Sequence, residues 1–198
     1  MKTFVATKNE GKLAEMRAIF AGSSLELETY PQYADVVEGD RSYRENAMLK
    51  ARALHAQLRA AGIAGAVLAD DSGLEVDALQ RRPGVLSARY GGEGASWPQR
   101  RALLLEELRG IPETARNARF VCAMALILGD GVEIEVQATV DGAIAASEQG
   151  RFGFGYDPIF LYPPADVTFA QLDDAQKNRI SHRRRAADAL LARLAARV

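Results

Sequence analysis

The chain has 198 residues, of which 48% are hydrophobic, and a formal net charge of −1. That length and apolar content suit one compact domain with a substantial core. The near-neutral balance excludes a global field that would recruit nucleic acid or an acidic membrane surface, so any phosphate recognition must be local and its ligand small. The single cysteine, Cys122, allows no disulfide within the chain and sits in an apolar run that predicts a buried structural thiol. No apolar stretch is long enough to span a bilayer, and the amino terminus lacks a basic region followed by an apolar signal core. A cytoplasmic location is expected.

In chain order, Thr3-Phe4-Val5-Ala6 reads as a strand, and Leu13, Met16, Ile19 and Phe20 then recur at helical spacing. A short strand is expected near residues 25–29. Residues 43–61, rich in Ala, Leu, Lys and Arg, predict a helix that Gly62 and Gly65 end. The run Ala66 to Leu74 is an apolar strand interrupted by Asp70 and Asp71. A helix is expected from Trp97 to Arg109, followed by a long hairpin. In its second arm Val132, Ile134, Val136 and Val140 alternate with polar residues, and Asp130-Gly131 suits the turn. A last helix from about His182 to Arg197 carries Ala187, Leu190, Leu191, Leu194 and Val198 in one apolar stripe that should dock on the sheet. The alternation predicts an α/β fold with a central mixed β-sheet flanked by helices, as a single domain over residues 1–198.

Asp is disfavoured inside apolar strands, so the Asp70-Asp71 pair calls for a reason. Alternation along an extended chain sends the two carboxylates to opposite faces, so one reaches a site while the other braces the backbone. A metal site and a turn stabilised by Asp side chains both fit this pattern. Glu38 is a candidate second oxygen ligand, because magnesium takes few protein carboxylates and leaves positions for substrate phosphates. The loop Thr7-Lys8-Asn9-Glu10-Gly11-Lys12 joins a strand to a helix, where free N–H groups, the helix dipole and two lysines suit an anion. It is not a P-loop, since Leu13 follows Lys12 where that motif has Ser or Thr; an ordinary lysine-bearing turn is the alternative. Glu45, Asn46 and Lys50 lie near the start of the second helix, where a solvated face with routine charge pairs is the plain reading.

Glycines flank Phe154 in Gly150-Arg151-Phe152-Gly153-Phe154-Gly155-Tyr156-Asp157-Pro158, allowing close backbone approach and stacking on a flat heterocycle. A bulged strand entrance with core aromatics is the alternative. Lys177, Ser181, His182 and Arg183 gather near the start of the last helix, and Arg can donate to the O6 and N7 edge of a purine. Two histidines and one cysteine leave a zinc site short of ligands. A serine hydrolase built on Ser72 lacks the Gly-x-Ser-x-Gly elbow.

Taken together, Thr7 to Lys12, Glu45-Asn46-Ala47, Lys50-Ala51, Asp70-Asp71-Ser72-Gly73-Leu74, Ser87-Ala88-Arg89-Tyr90, Gly153-Phe154-Gly155-Tyr156-Asp157-Pro158 and Ile180-Ser181-His182-Arg183 closely resemble the inosine/xanthosine triphosphate pyrophosphatase family, in family order over nearly the whole chain. The resemblance implies an elongated mixed α/β fold, usually a homodimer, that hydrolyses deaminated purine nucleoside triphosphates (ITP, dITP, XTP) to monophosphate and pyrophosphate with magnesium, cleansing the nucleotide pool. It implies that Thr7, Lys8, Asn9, Glu10, Gly11 and Lys12 line the triphosphate, and that Asp71 is proton acceptor and magnesium contact with Glu38 nearby. Lys12, Lys50 and Asp70 support the chemistry. Ser72 touches substrate, Phe154 stacks on the base, Gly155, Tyr156 and Asp157 complete that wall, and Lys177, His182 and Arg183 contact the base. Lys8 departs from the small residue that the family often carries there. A regulatory nucleotide-binding module, and a hydrolase for pyrimidine or oxidised nucleotides, are the competing readings.

Overall fold

The structure is a computed structural model that describes residues 1–197; Val198, expected at the end of the last apolar stripe, lies outside the described residues. Strand β1 (Lys2–Val5) is followed by α1 (Glu10–Phe20), β2 (Glu26–Glu28), α2 (Tyr43–Ala60) and β3 (Ala66–Val76). Then come α3 (Trp97–Glu107), β4 (Asn117–Ile127), β5 (Glu133–Ile144), β6 (Phe160–Tyr162), β7 (Val167–Thr168), α4 (Asp174–Ile180) and α5 (His182–Ala195). The strands form one seven-stranded mixed sheet in the order β2-β1-β3-β4-β5-β6-β7. Strand β1 pairs parallel with both β2 and β3, whereas β6 pairs antiparallel with β5 and β7. No helix among the described residues is long and apolar enough to cross a membrane.

Residue types account for most of these elements. Side-chain caps start the helices: Asn9, Ser42 and Ser96 each accept a backbone N–H from the first turn, and Ser96 forms a reciprocal capping box with Gln99. Phe120 to Ile127 are buried without interruption, as in a strand covered on both faces. Along β5, Ile134, Val136, Val140 and Ile144 are buried while Glu133, Gln137 and Asp141 are exposed, which is the expected half-solvated alternation.

The chain forms two compact units, whose boundaries fall inside β3, β4 and β5. The first comprises residues 1–71, 122–138 and the segment from His182 onward. In its core Met16, Ile19 and Phe20 of α1 and Ala186, Ala187 and Leu190 of α5 pack with Leu68, Met124, Leu126, Ile134 and Val136, so the last helix docks on the sheet as expected. Cys122 is fully buried in this core, and burial pushes its thiol up to about 12. The second unit comprises Ser72–Val121 and Thr139–Ser181. Its core gathers Leu74, Val76, Leu104, Leu108 and a cluster of aromatic rings, with Phe120 and Phe160 centred 4.4 Å apart. Here the segment around Phe154 is a turn closing into a short 3-10 helix at Asp157–Ile159, not a bulged strand entrance. Gly150 cannot be replaced freely: its φ is +86°, and a Cβ would stand 2.2 Å from the Ala170 backbone.

Candidate active site

The two acids of β3 turn to different partners, as the alternation of an extended chain requires. Asp70 receives Lys12 Nζ at 3.2 Å from α1 and Arg183 Nη2 at 3.3 Å from α5. Asp71 receives Asn46 Nδ2 at 3.0 Å on one oxygen and Lys50 Nζ at 3.5 Å on the other, both from α2. Asp70, Asp71, Lys50 and Asn46 are all buried. Lys50 Nζ also meets Glu38 at 2.5 Å, so the carboxylates of Glu38 and Asp71 share one ammonium.

These environments drive the two carboxyl groups apart. Burial raises both, but around Asp70 it is outweighed by Lys12, Arg183 and Lys50, which hold that carboxyl well below the usual range. For Asp71 burial prevails: Lys50 and Lys12 offset only part of it, the charge of Glu38 adds to it, and the carboxyl lies above its ordinary value. Burial disfavours the Lys50 ammonium, yet Asp71, Asp70 and Glu38 together raise it above normal, so it stays charged. The site therefore holds one carboxylate locked in the ionised form and a second that accepts a proton more readily.

Upstream, Thr7 Oγ1 accepts the Asn9 N–H at 3.1 Å and Asn9 Oδ1 accepts the Lys12 N–H at 3.0 Å, which fixes the turn into α1. Thr7, Gly11 and Lys12 are half-buried, whereas Lys8, Asn9 and Glu10 are exposed. Among the described residues no group of three or more His, Cys, Asp or Glu side chains could hold a metal ion by itself. Magnesium makes no such demand, since it uses one or two carboxylates and retains water and phosphate oxygens. Asp71 and Glu38 are the acids that could hold it, since the two converge on one cation, the Lys50 ammonium.

In the second unit Asp157 organises the aromatic turn. Its Oδ2 accepts the Phe154 N–H at 2.8 Å and Lys177 Nζ at 2.5 Å, with both charged side chains buried. The same ammonium stands 4.8 Å from the centre of the Phe154 ring. Gly153 must be glycine for this, because its φ is +70° and a Cβ would stand 2.2 Å from Asp157 Oδ2. Ser72 is half-buried, whereas Gly155 and Tyr156 are buried; the carbonyl of Gly155 accepts Arg101 Nη1 at 2.8 Å, and the Tyr156 hydroxyl donates to the Ser87 carbonyl at 3.1 Å.

The sequence model of the Ham1 family matches residues 3–193. The chain belongs to the Ham1 family. It is 45% identical over 185 residues to a dITP/XTP pyrophosphatase of Geobacillus kaustophilus, covering 92% of this chain and 88% of that protein. It is 43% identical over 197 residues to one from Exiguobacterium sibiricum, covering 98% and 97%. Among solved structures, the Ham1 protein of Staphylococcus aureus matches with a TM-score of 0.85 at 38% identity over 100% of both chains. A HAM1 protein from Coxiella burnetii matches with a TM-score of 0.85 at 35% identity over 99% of both. The family that the sequence motifs resemble is thus the one to which the chain belongs.

Within this Ham1-family site the start of α5 is more enclosed than the sequence suggests. His182 is 4% and Arg183 1% exposed, and the Arg183 guanidinium is gripped by Asp70 and by Glu15 of α1. Together the two acids hold it charged against the cost of burial. Glu15 was not singled out in the sequence, where an acid on an amphipathic helix reads as solvated; its place on the buried face beside Met16 and Ile19 is the signal that could have found it. Asn46 belongs to the family-like motif Glu45-Asn46-Ala47, with a solvated face as its plain reading, and the structure places it 2% exposed against Asp71.

Proposed function

We propose that this protein hydrolyses deaminated purine nucleoside triphosphates, ITP, dITP and XTP, to the monophosphate and pyrophosphate, with magnesium, as a cytoplasmic homodimer that cleanses the nucleotide pool. The observation that carries the reading is the pair of neighbouring buried acids on β3, Asp70 held between Lys12 and Arg183 and Asp71 held by Lys50 and Asn46. The names of the 45% and 43% identical relatives support the substrate class.

Asp71 and Glu38 would hold magnesium, which when bound neutralises phosphate charge and favours deprotonation of the attacking water. The chain's own residues do the rest. Residues Thr7 to Lys12 receive the triphosphate at the start of α1, with Lys12 held in place by Asp70. Lys12 and Lys50 balance the charge that develops on the phosphate oxygens. Asp71 takes the proton of the attacking water. Phe154 stacks on the base, its turn fastened by Asp157 and Lys177. Selectivity would come from a donor at the start of α5 that meets the O6 acceptor of hypoxanthine or xanthine, in a segment anchored by the buried Arg183 guanidinium, which Glu15 and Asp70 engage. Adenine presents an amino group there and leaves that donor unpaired.

The test is phosphorus NMR of the products from ITP, XTP, GTP and ATP, with magnesium and with chelator. Pyrophosphate released from ITP and XTP alone, and only with magnesium, is the expected result. Orthophosphate as sole product, equal turnover of all four, or nucleotide binding without turnover contradicts the reading.

A further inference from the structure

The segment from residue 29 to residue 42 contains neither helix nor strand, yet it carries Glu38. Two side-chain amides of α2 grip it in the same manner. Gln57 accepts the Ala34 N–H at 2.9 Å and donates to the Ala34 carbonyl at 2.8 Å. Asn46 accepts the Gly39 N–H at 2.9 Å and donates to the Gly39 carbonyl at 3.2 Å. The two positions are eleven residues apart, about three turns at 3.6 residues per turn, so both amides project from one side of the helix. Each mimics a strand neighbour for a peptide group that has no strand to pair with.

The two clips differ in one respect. Gln57 is half-buried and holds only the connection, whereas Asn46 is 2% exposed and its Nδ2 also donates to Asp71 Oδ2 at 3.0 Å. One amide thereby ties the residue after Glu38 to the carboxylate of Asp71. Lys50, one turn further along α2, bridges the same two acids through their charges at 2.5 and 3.5 Å. Aspartate at position 46 would lose both donated bonds, and glutamine is one methylene longer.

We propose that Asn46 is a positioning residue that sets where the Glu38 carboxylate stands relative to Asp71, preorganising the two acids for one divalent cation. The inference rests on the reading of Glu38 and Asp71 as the magnesium-holding pair. Residues that orient metal ligands typically change metal affinity about 10- to 100-fold when replaced.

The experiment measures binding of magnesium alone by calorimetry, without nucleotide, in the wild type and the Asn46→Ala and Gln57→Ala variants, alongside amide exchange at Gly39 and Ala34. Each substitution should speed exchange at its own partner. Asn46→Ala should weaken magnesium binding at least about 10-fold, and Gln57→Ala less than about 3-fold, because only the first clip touches Asp71. In a Glu38→Gln background Asn46→Ala should cost little more in kcat/KM, since the group it positions is already gone. If Asn46→Ala does not fold, Asn46→Gln keeps a buried amide and should still weaken metal binding about 10-fold. Equal effects at both clips, unchanged metal binding without Asn46, or full additivity with Glu38→Gln overturns the proposal alone. A wild type that binds no magnesium alone overturns this inference, and a wild type whose turnover of ITP is the same with chelator overturns the metal reading as well.

Discussion

Replacing Asp70 by Asn keeps the shape of the side chain and removes its charge from a position 1% exposed. Lys12 at 3.2 Å and Arg183 at 3.3 Å then lose their shared anion, while Glu15 stays against the Arg183 guanidinium. Taking one partner from a buried ion pair costs about 3–5 kcal/mol, because the remaining charge stays desolvated without compensation. For a chain of this size each kcal/mol moves Tm by about 2–4 °C, so the variant should melt about 6–20 °C lower. The assay is urea unfolding at pH 7, with the slope of ΔG against urea unchanged. The pH dependence follows from the direction of the shift. A carboxyl held below its unfolded value contributes stability that is fully present above that value, near pH 4, and is lost as pH falls toward the folded value. The gap between wild type and variant should therefore be constant from about pH 5 upward and should narrow in stronger acid. A cost under about 1 kcal/mol, typical of a solvent-screened pair, would show that the Asp70 charges are not desolvated.

Other consequences are equally measurable. Phe154→Ala should raise KM about 5- to 150-fold, the value of one lost base stack, with kcat nearly unchanged; an unaltered KM removes Phe154 from base binding. Lys177→Met should cost about 3–5 kcal/mol by stranding the buried Asp157 carboxylate; near-wild-type denaturation would show that pair to be solvated. Gly150→Ala, with φ at +86° and a Cβ 2.2 Å from Ala170 backbone, should destabilise by more than about 2 kcal/mol, and an unchanged melting curve would show that the turn relaxes freely.

What the sequence made legible were features with short-range causes. The helix of residues 43–61 and the strand carrying Asp70 and Asp71 show in periodicity and composition, and they appear within a residue or two of expectation. The opposite facing of the two acids follows from strand geometry and is matched by their separate partners. Strands β6 and β7, of three and two residues, give too short a pattern to read, and α4 is hidden among polar residues. In the site, Glu15 and the contact of Asn46 with Asp71 are not legible in the sequence, because they depend on partners far away in it: Arg183 lies 168 residues from Glu15, and Asp71 lies 25 from Asn46. Arg183 reads in the sequence as a group offered to a ligand, but its guanidinium is buried against two acids that no local pattern announces. Pairing of this kind is a tertiary property, and only the fold reveals it.

The proposed hydrolysis depends on Asp71 as the group that takes the proton from water, distinct from its neighbour Asp70. Turnover and equilibrium binding of ITP by Asp71→Asn test this most directly, because the substitution preserves shape and removes the carboxylate charge that would take the proton. In this variant kcat should fall at least about 1,000-fold, within the range lost when a general base is removed, while nucleotide binding stays within a few-fold of wild type. A kcat within about 3-fold of wild type, far less than removal of a general base costs, would contradict that role for Asp71.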